Sequence, residues 1–335
     1  MSPALRSLGG VSLGALILAI GATSVWVEQC TPSGLVAPPT RPYQGYGNPE
    51  VRVGARPYPR RATGADDVTL EIARPVRRIV SQDIGSDEYA YSVAPPERVV
   101  GVSESAYERR ISNVYEYAER YRPVVALNPE RVLLAAPDLV FTPESARSDV
   151  PGLLRAAGIP VYRMFTMFET LASIEEHIRL VGYLTGEDGR GETEARRFRE
   201  TIRRAAARRP AGAVPPRVMG FGGTYSYGTK TLFTDILRVL GAENIAATHG
   251  FVGYDRVTDE HIVRWDPDWI VAGADRGKIE QVRARILAHP AMAATSAARH
   301  GRIVVLEHQL FLPLSPFTAR FVEALAEAFY GGGAS

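Results

Sequence analysis

From about Asp67 onward, short apolar runs rich in β-branched residues alternate with amphipathic stretches at helical spacing. This is the pattern of βαβ units around mostly parallel sheets. Arg78-Ile79-Val80-Ser81 predicts a first strand, with Ser86-Asp87-Glu88 as the cap of the following helix. Arg98-Val99-Val100-Gly101-Val102 predicts a second strand. Pro129 occupies an N1-like position at the start of a helix, which Ala136-Pro137 closes before a strand over residues 138–142. Residues 151–157 predict another helix, stopped by Gly158 and followed by a strand over residues 159–163. Together these elements make one α/β lobe. Residues 192–209 are rich in Glu, Ala and Arg, contain no proline, and are bounded by Gly191 and Pro210. They predict one long helix with a solvated charged face, which joins the first lobe to a second. A single helical crossover implies small lobe closure rather than a wide hinge motion.

The second lobe shows itself as a repeat. Asn128-Pro129-Glu130-Arg131-Val132-Leu133 and Pro137-Asp138-Leu139-Val140 line up with Thr258-Asp259-Glu260-His261-Ile262-Val263 and Pro267-Asp268-Trp269-Ile270 at a constant offset of 130 residues. Each copy places a glutamate in a first helical turn, eight residues before an aspartate that follows proline and opens a strand. Gly158-Ile159-Pro160-Val161 is echoed by Gly301-Arg302-Ile303-Val304, each a strand started by glycine after a helix. Self-similarity on this scale predicts two lobes of similar architecture.

The N-terminal pattern is different. Arg6 precedes an almost uncharged run from Leu8 to Val27, which reads as a signal peptide or membrane anchor over residues 1–30. Val27-Glu28-Gln29 is a poor lipidation context for Cys30, and Ala19 at the minus-three position allows cleavage after Gly21. Residues 31–66 carry Pro38-Pro39, Pro42, Pro49, Pro57 and Pro59 among Gly and Arg without apolar periodicity, and predict an extended tether. The boundaries are then an N-terminal lobe over 67–187, the connecting helix over 188–210 and a C-terminal lobe over 211–332.

Composition narrows the function. The chain has 335 residues, 45% hydrophobic and 23% charged, enough for two globular units with real cores. With 39 basic and 37 acidic side chains, no net field argues for nucleic acid. The single cysteine, Cys30, excludes an intramolecular disulfide.

Four ordered stretches resemble one family: the first strand with Ser86-Asp87-Glu88, Glu130 with Pro137-Asp138-Leu139-Val140, Gly182-Tyr183-Leu184-Thr185-Gly186, and Gly241-Ala242-Glu243-Asn244-Ile245 ahead of Glu260. They look like the periplasmic binding proteins of importers for iron siderophores, haem and cobalamin, in the class with a helical backbone. The resemblance runs from about Val68 to Tyr330. It implies an α/β fold of two similar lobes, each a mostly parallel sheet flanked by helices, joined by one long α-helix with the ligand cleft between them. It also implies an exported, monomeric protein with no cofactor of its own, partnered by a membrane permease. In such proteins a glutamate at the tip of each lobe docks into permease arginines, and Glu130 and Glu260 match those positions. Two carboxylates on matching lobes suit a two-fold related partner, and either would also complement its helix dipole.

Loops after the carboxyl ends of strands are expected to line the cleft. In the first lobe these are Ser86-Asp87 and residues 103–121, which hold Tyr107, Arg109, Arg110, Tyr115 and Tyr117. In the second lobe they hold Tyr225, Tyr227, Tyr254, His308 and Phe311. Aromatic faces with arginines suit a planar, anionic metal chelate, and His308 is the candidate direct ligand to its metal. Tyr117 and Tyr121, at helical spacing, read as core. An α/β-hydrolase elbow at Ser226 fails because Thr224 stands where glycine is needed, and a dinucleotide fingerprint from Gly220 fails because Tyr225 replaces the third glycine. No catalytic residue is expected. The alternatives are a zinc or manganese receptor, disfavoured because His177 is the only histidine in the first half, or an envelope sensory or structural protein that retains the fold.

Overall fold

The computed structural model describes residues 57–120, 128–144 and 149–331. The N-terminal signal or anchor, Cys30, most of the tether and Tyr121 lie outside the described residues. Strands β1 (Arg60–Thr63) and β2 (Thr69–Ile72) form an antiparallel hairpin. The first of these strands falls inside the stretch read as tether. Its Arg60 is buried, pairs with Asp188 at 2.8 Å and lies between the rings of Tyr58 and Tyr183, so the folded body begins before Asp67.

Next come β3 (Ile79–Ser81), α1 (Ile84–Val93), β4 (Val99–Gly101), α2 (Tyr115–Arg120) and α3 (Pro129–Leu134). The first lobe ends with β5 (Leu139–Pro143), α4 (Val150–Ala156) and β6 (Val161–Met164). Its sheet runs β4-β3-β5-β6, all parallel. Helix α1 starts earlier than Ser86-Asp87-Glu88 suggests, because Asp83 caps it by accepting from the Gly85 and Ser86 amides. Ser86, Asp87 and Glu88 lie in the helix and are buried.

Helices α5 (Leu171–Thr185) and α6 (Asp188–Ala206) link the lobes. The α5 helix stops at Gly186, whose φ of 80° is left-handed, and α6 restarts at once. That is why the connecting helix begins at 188 rather than 192, and its last predicted residues, to 209, form a turn before Pro210. Gly182 and Gly191 let the two helices touch, since a Cβ on Gly182 would sit 2.9 Å from the Gly191 Cα. The buried positions of α6, Gly191, Ala195, Phe198, Ile202 and Ala205, follow helical spacing, and its arginines and glutamates face outward as expected.

The second lobe contains β7 (Arg217–Phe221), β8 (Tyr225–Tyr227), α7 (Leu232–Leu240), β9 (Glu243–Asn244), α8 (Ile245–Thr248), β10 (Tyr254–Arg256) and α9 (Asp259–Trp265). It continues through β11 (Trp269–Ala274), α10 (Ile279–Ala288), α11 (Pro290–Ala293), α12 (Ser296–Arg299), β12 (Ile303–Glu307) and α13 (Thr318–Tyr330). Its parallel sheet runs β9-β7-β11-β12, the same order as in the first lobe, while β8 and β10 form a separate antiparallel hairpin.

Strand periodicity splits each sheet between two cores. Ile79, Leu139, Phe141 and Tyr162 face one cluster while Val80, Val140 and Val161 face another. In the second lobe Val218 and Val271 join the first cluster, and Met219, Ile270 and Ala272 face outward to a third. One continuous core, filled by α5, α6, α7 and α13, therefore lies between both sheets. His177 belongs to it, with its ring 4.6 Å from Tyr89 and 5.2 Å from Phe168.

The repeat extends to backbone detail. Ala136 and Asp266, 130 residues apart and each before a proline, have φ of 43° and 40°. Such left-handed residues cost roughly 1–2 kcal/mol and persist where surroundings hold them. The Arg78 guanidinium donates to the carbonyls of Ala135 and Ala136, and that of Arg217 to those of Trp265 and Asp266. Asp138 accepts from the Arg77 and Arg78 amides as Asp268 accepts from the Arg217 amide. Gly158 and Gly301, with φ of 78° and 67°, start the last strand of each sheet.

Candidate solute-binding cleft

The carboxyl ends of the two sheets meet across the cleft. Arg110, on the loop after β4, reaches Asp275, the residue after β11, at 3.4 Å. Asn113, on the same loop, donates to the Gln309 carbonyl beyond β12 at 2.7 Å. His308, the residue after β12, lies 3.9 Å from the same Asp275 carboxylate. The predicted residues Arg110 and His308 thus converge from opposite lobes on one acidic group. Asp275 and Asn113 carry no motif, and their only sequence signal is their place on loops that follow strands.

Burial raises the Asp275 carboxyl, but the Lys278 ammonium and the charges of Arg110 and His308 outweigh it and hold the group below its ordinary range. Burial lowers the His308 imidazole, Asp275 opposes that effect, and Arg110 adds to it. The net depression favours the neutral ring, the form that can bind a metal. His308 fits where it is because position 273 is glycine, since a Cβ there would lie 2.7 Å from the His308 Nδ1 and 3.0 Å from Phe311.

Beside it stands an aromatic cluster. Tyr225, Tyr227 and Tyr254 have ring centroids 5.6 to 5.9 Å apart in edge-on contacts, held by pairing of β8 with β10. Phe311 lies 6.1 Å from Tyr227. Tyr227 and Phe311, expected as solute contacts, are buried and pack with Phe233 and Phe321 as the back of this wall. Tyr225 and Tyr254 are half-buried and form its front. The glycines beside Tyr225 do not leave its ring uncrowded. The ring lies on Gly222, where a Cβ would approach it to 2.3 Å.

The first-lobe candidates separate in the same way. Arg109 is exposed and stacks on Tyr115, 4.2 Å from the ring centroid, within its own loop. Tyr107 is half-buried against the core, and Tyr117 is core as expected. Residues 104–107 form a short 3-10 helix, so the stretch read as loop is partly helical. Asp87, read as a cleft-loop residue, is instead buried. It accepts from Ser81 and, at 2.5 Å, from Ser103, and burial raises its carboxyl to about 7.

Away from the cleft, Glu130 and Glu260 are exposed at the second position of α3 and α9, behind the caps Asn128 and Thr258. One turn further along, Leu133 and Val263 are also exposed, again 130 residues apart. Ser226 is fully buried and its hydroxyl donates to the Gly220 carbonyl at 2.7 Å, so it presents no nucleophile. Among the described residues, no group of three or more His, Cys, Asp or Glu side chains is placed to hold a metal ion, and no helix is long and apolar enough to cross a membrane.

Comparison with known proteins agrees with this geometry. A cobalamin-binding protein of Halobacterium salinarum is 24% identical over 283 residues, covering 82% of this chain and 74% of its own. A periplasmic haem-binding protein of Roseiflexus in its apo form has 26% identity, covers 76% of this chain and 98% of its own, and superposes with a TM-score of 0.63. A periplasmic haem-binding protein of Pseudomonas aeruginosa has 25% identity, 77% and 94% coverage and a TM-score of 0.63. The periplasmic binding protein family matches residues 79–310, well over half of the sequence. With two parallel sheets of like order facing one cleft, this chain belongs to the periplasmic binding protein family and is a solute-binding protein rather than an enzyme.

Proposed function

We propose that this protein is the extracytoplasmic solute-binding subunit of an ATP-driven importer, and that its solute is a bulky metal chelate: haem, a corrinoid or a ferric siderophore. The observation that carries the reading is the convergence of His308 and Arg110 on Asp275 beside the half-buried rings of Tyr225 and Tyr254. A neutral imidazole supplies a metal ligand, the tyrosine faces cover a planar ring system, and an arginine pairs with an anionic substituent. Arg110 is now shared between Asp275 and Glu108, each at 3.4 Å. A carboxylate or phosphate on the solute would take over part of that guanidinium. Similarity to haem-binding and cobalamin-binding proteins supports the same class.

Delivery would use the opposite ends of the lobes. Glu130 and Glu260 occupy equivalent exposed sites, each followed by an exposed aliphatic residue, which suits a permease that presents one surface twice. The test is a titration of the purified chain with hemin, cyanocobalamin, ferric siderophores, and free zinc and manganese, followed by absorbance and intrinsic fluorescence. Saturable binding of one chelate is the expected result. Binding of free zinc or manganese alone would overturn the chelate reading in favour of a metal-ion receptor. Absence of any ligand, together with unaffected transport in a deletion strain, would favour an envelope sensory or structural role.

A further inference from the structure

Glu88 lies on α1 of the first lobe and is 3% exposed, yet its carboxylate reaches toward the second lobe. One of its oxygens accepts from the Asn113 amide at 3.1 Å and from the Asn113 side chain at 2.9 Å. The other accepts from the Ser315 hydroxyl. Asn113 uses its second side-chain hydrogen on the Gln309 carbonyl at 2.7 Å. The segment that follows β12 is thus tied at both ends, Gln309 and Ser315, to a single buried carboxylate. We infer that Glu88 is a positioning residue of the solute cleft, holding the segment from His308 to Ser315 in register with the first lobe through Asn113 and Ser315.

The chemistry supports a positional role. A buried carboxylate carries a desolvation cost that an apolar side chain of similar size avoids, so packing alone does not account for it. Burial raises Glu88 to about 7 against the opposing hydrogen bonds from Ser315 and Asn113. What the group supplies is a pair of acceptors pointing two ways. His308 immediately precedes Gln309, and its amide is fixed on the Ala274 carbonyl at 2.8 Å. A displacement of Gln309 therefore bends the chain next to the imidazole that faces Asp275.

That His308 touches solute rests on the proposed function, whereas the placement of its segment does not. The two are separated by hydrogen exchange measured on the full chain without ligand. In Asn113→Ala and Glu88→Leu, peptides covering residues 308–317 are expected to exchange about tenfold faster, while those covering β5 stay unchanged. Glu88→Gln keeps an acceptor for Asn113 and a partner for Ser315, and is expected to restore slow exchange. If Glu88→Leu fails to fold, Asn113→Ala still decides. Unchanged exchange over 308–317 in Asn113→Ala overturns the inference, as does an equal rise in β5, which marks global loosening. Titration with hemin and cyanocobalamin then follows, and whichever binds the unmodified chain is expected to bind Asn113→Ala about tenfold more weakly. Binding of neither would sink the solute reading while leaving the exchange result to stand for the placement.

Discussion

Strand β3 of the first lobe runs into a helix capped by Asp83, whereas β7 of the second runs into a glycine turn and a tyrosine hairpin. At the opposite edge the two lobes agree almost residue for residue. Arg78 and Arg217 clamp the same pair of carbonyls, Asp138 and Asp268 close the same turn, and Glu130 and Glu260 project from the same helical position. A duplicated frame has kept one edge alike and let the other diverge. A partner that reads both lobes in the same way would require the first behaviour. A solute held asymmetrically between them would require the second.

The largest expected effect tests the shared edge. Reversing charge in Glu130→Arg with Glu260→Arg should abolish uptake in cells while solute affinity stays within about twofold, since both sites are far from Asp275. The single reversals should impair uptake to similar extents. A strong defect from one and none from the other would break the equivalence of the lobes at this edge.

The diverged edge gives the next effect. His308→Ala should weaken chelate binding about 30-fold, the order of a 2 kcal/mol anchor, and should alter the visible spectrum of bound hemin. Arg110→Ala should cost about fivefold, as suits a partly exposed ion pair worth about 1 kcal/mol. If the first-lobe arginine mattered more than the second-lobe histidine, the tyrosine hairpin would lose its place as the main solute surface.

How much of this was legible in the sequence follows the same division. The like edge was readable because Asn128 and Thr258, Glu130 and Glu260, and Asp138 and Asp268 keep one offset. The Arg78 and Arg217 clamps escaped because their spacing is 139 residues, widened by chain inserted between the lobes. In the cleft, residue type indicated the chemistry but not the depth. Tyr225 and Tyr227 share a face of β8, and only Phe233 and Phe311, distant in the chain, decide that Tyr227 is covered. Asp87 and Glu88 looked like surface cap residues because the cap at Asp83 begins the helix earlier. Asp275 and Asn113 are single polar residues whose importance arises only when the lobes meet.

A smaller effect probes the clamps. Arg78→Ala and Arg217→Ala each remove a charged donor from two carbonyls beside a left-handed residue, and each should lower stability by about 1 kcal/mol in a urea unfolding curve. Equal losses would mark the clamp as a property of the frame. A loss confined to one lobe would show that the other holds its turn by packing.

The last prediction concerns pH, where the lobes should part again, because Asp87, Glu88 and His177 all belong to the first. Burial raises the two carboxyls to about 7 and lowers the imidazole to about 3. Between about 4.5 and 7 the native carboxyls hold protons that the unfolded chain has released, so their contribution to stability falls as pH rises through that window. His177 has the opposite sign. Below about 6.5 the unfolded imidazole binds a proton that the native core excludes, so its contribution falls as pH drops toward 3. Glu88→Gln removes one of the carboxyl contributions. The stability of the unmodified chain relative to this variant should therefore grow as pH is lowered from 7 to 4.5, by up to about 3 kcal/mol. His177→Leu should show the reverse trend, gaining on the unmodified chain as pH falls below 6.5. A difference between Glu88→Gln and the unmodified chain that is flat over this range would mean that Glu88 stays ionised in the native state. Its bonds to Asn113 and Ser315 would then outweigh the burial that opposes its charge.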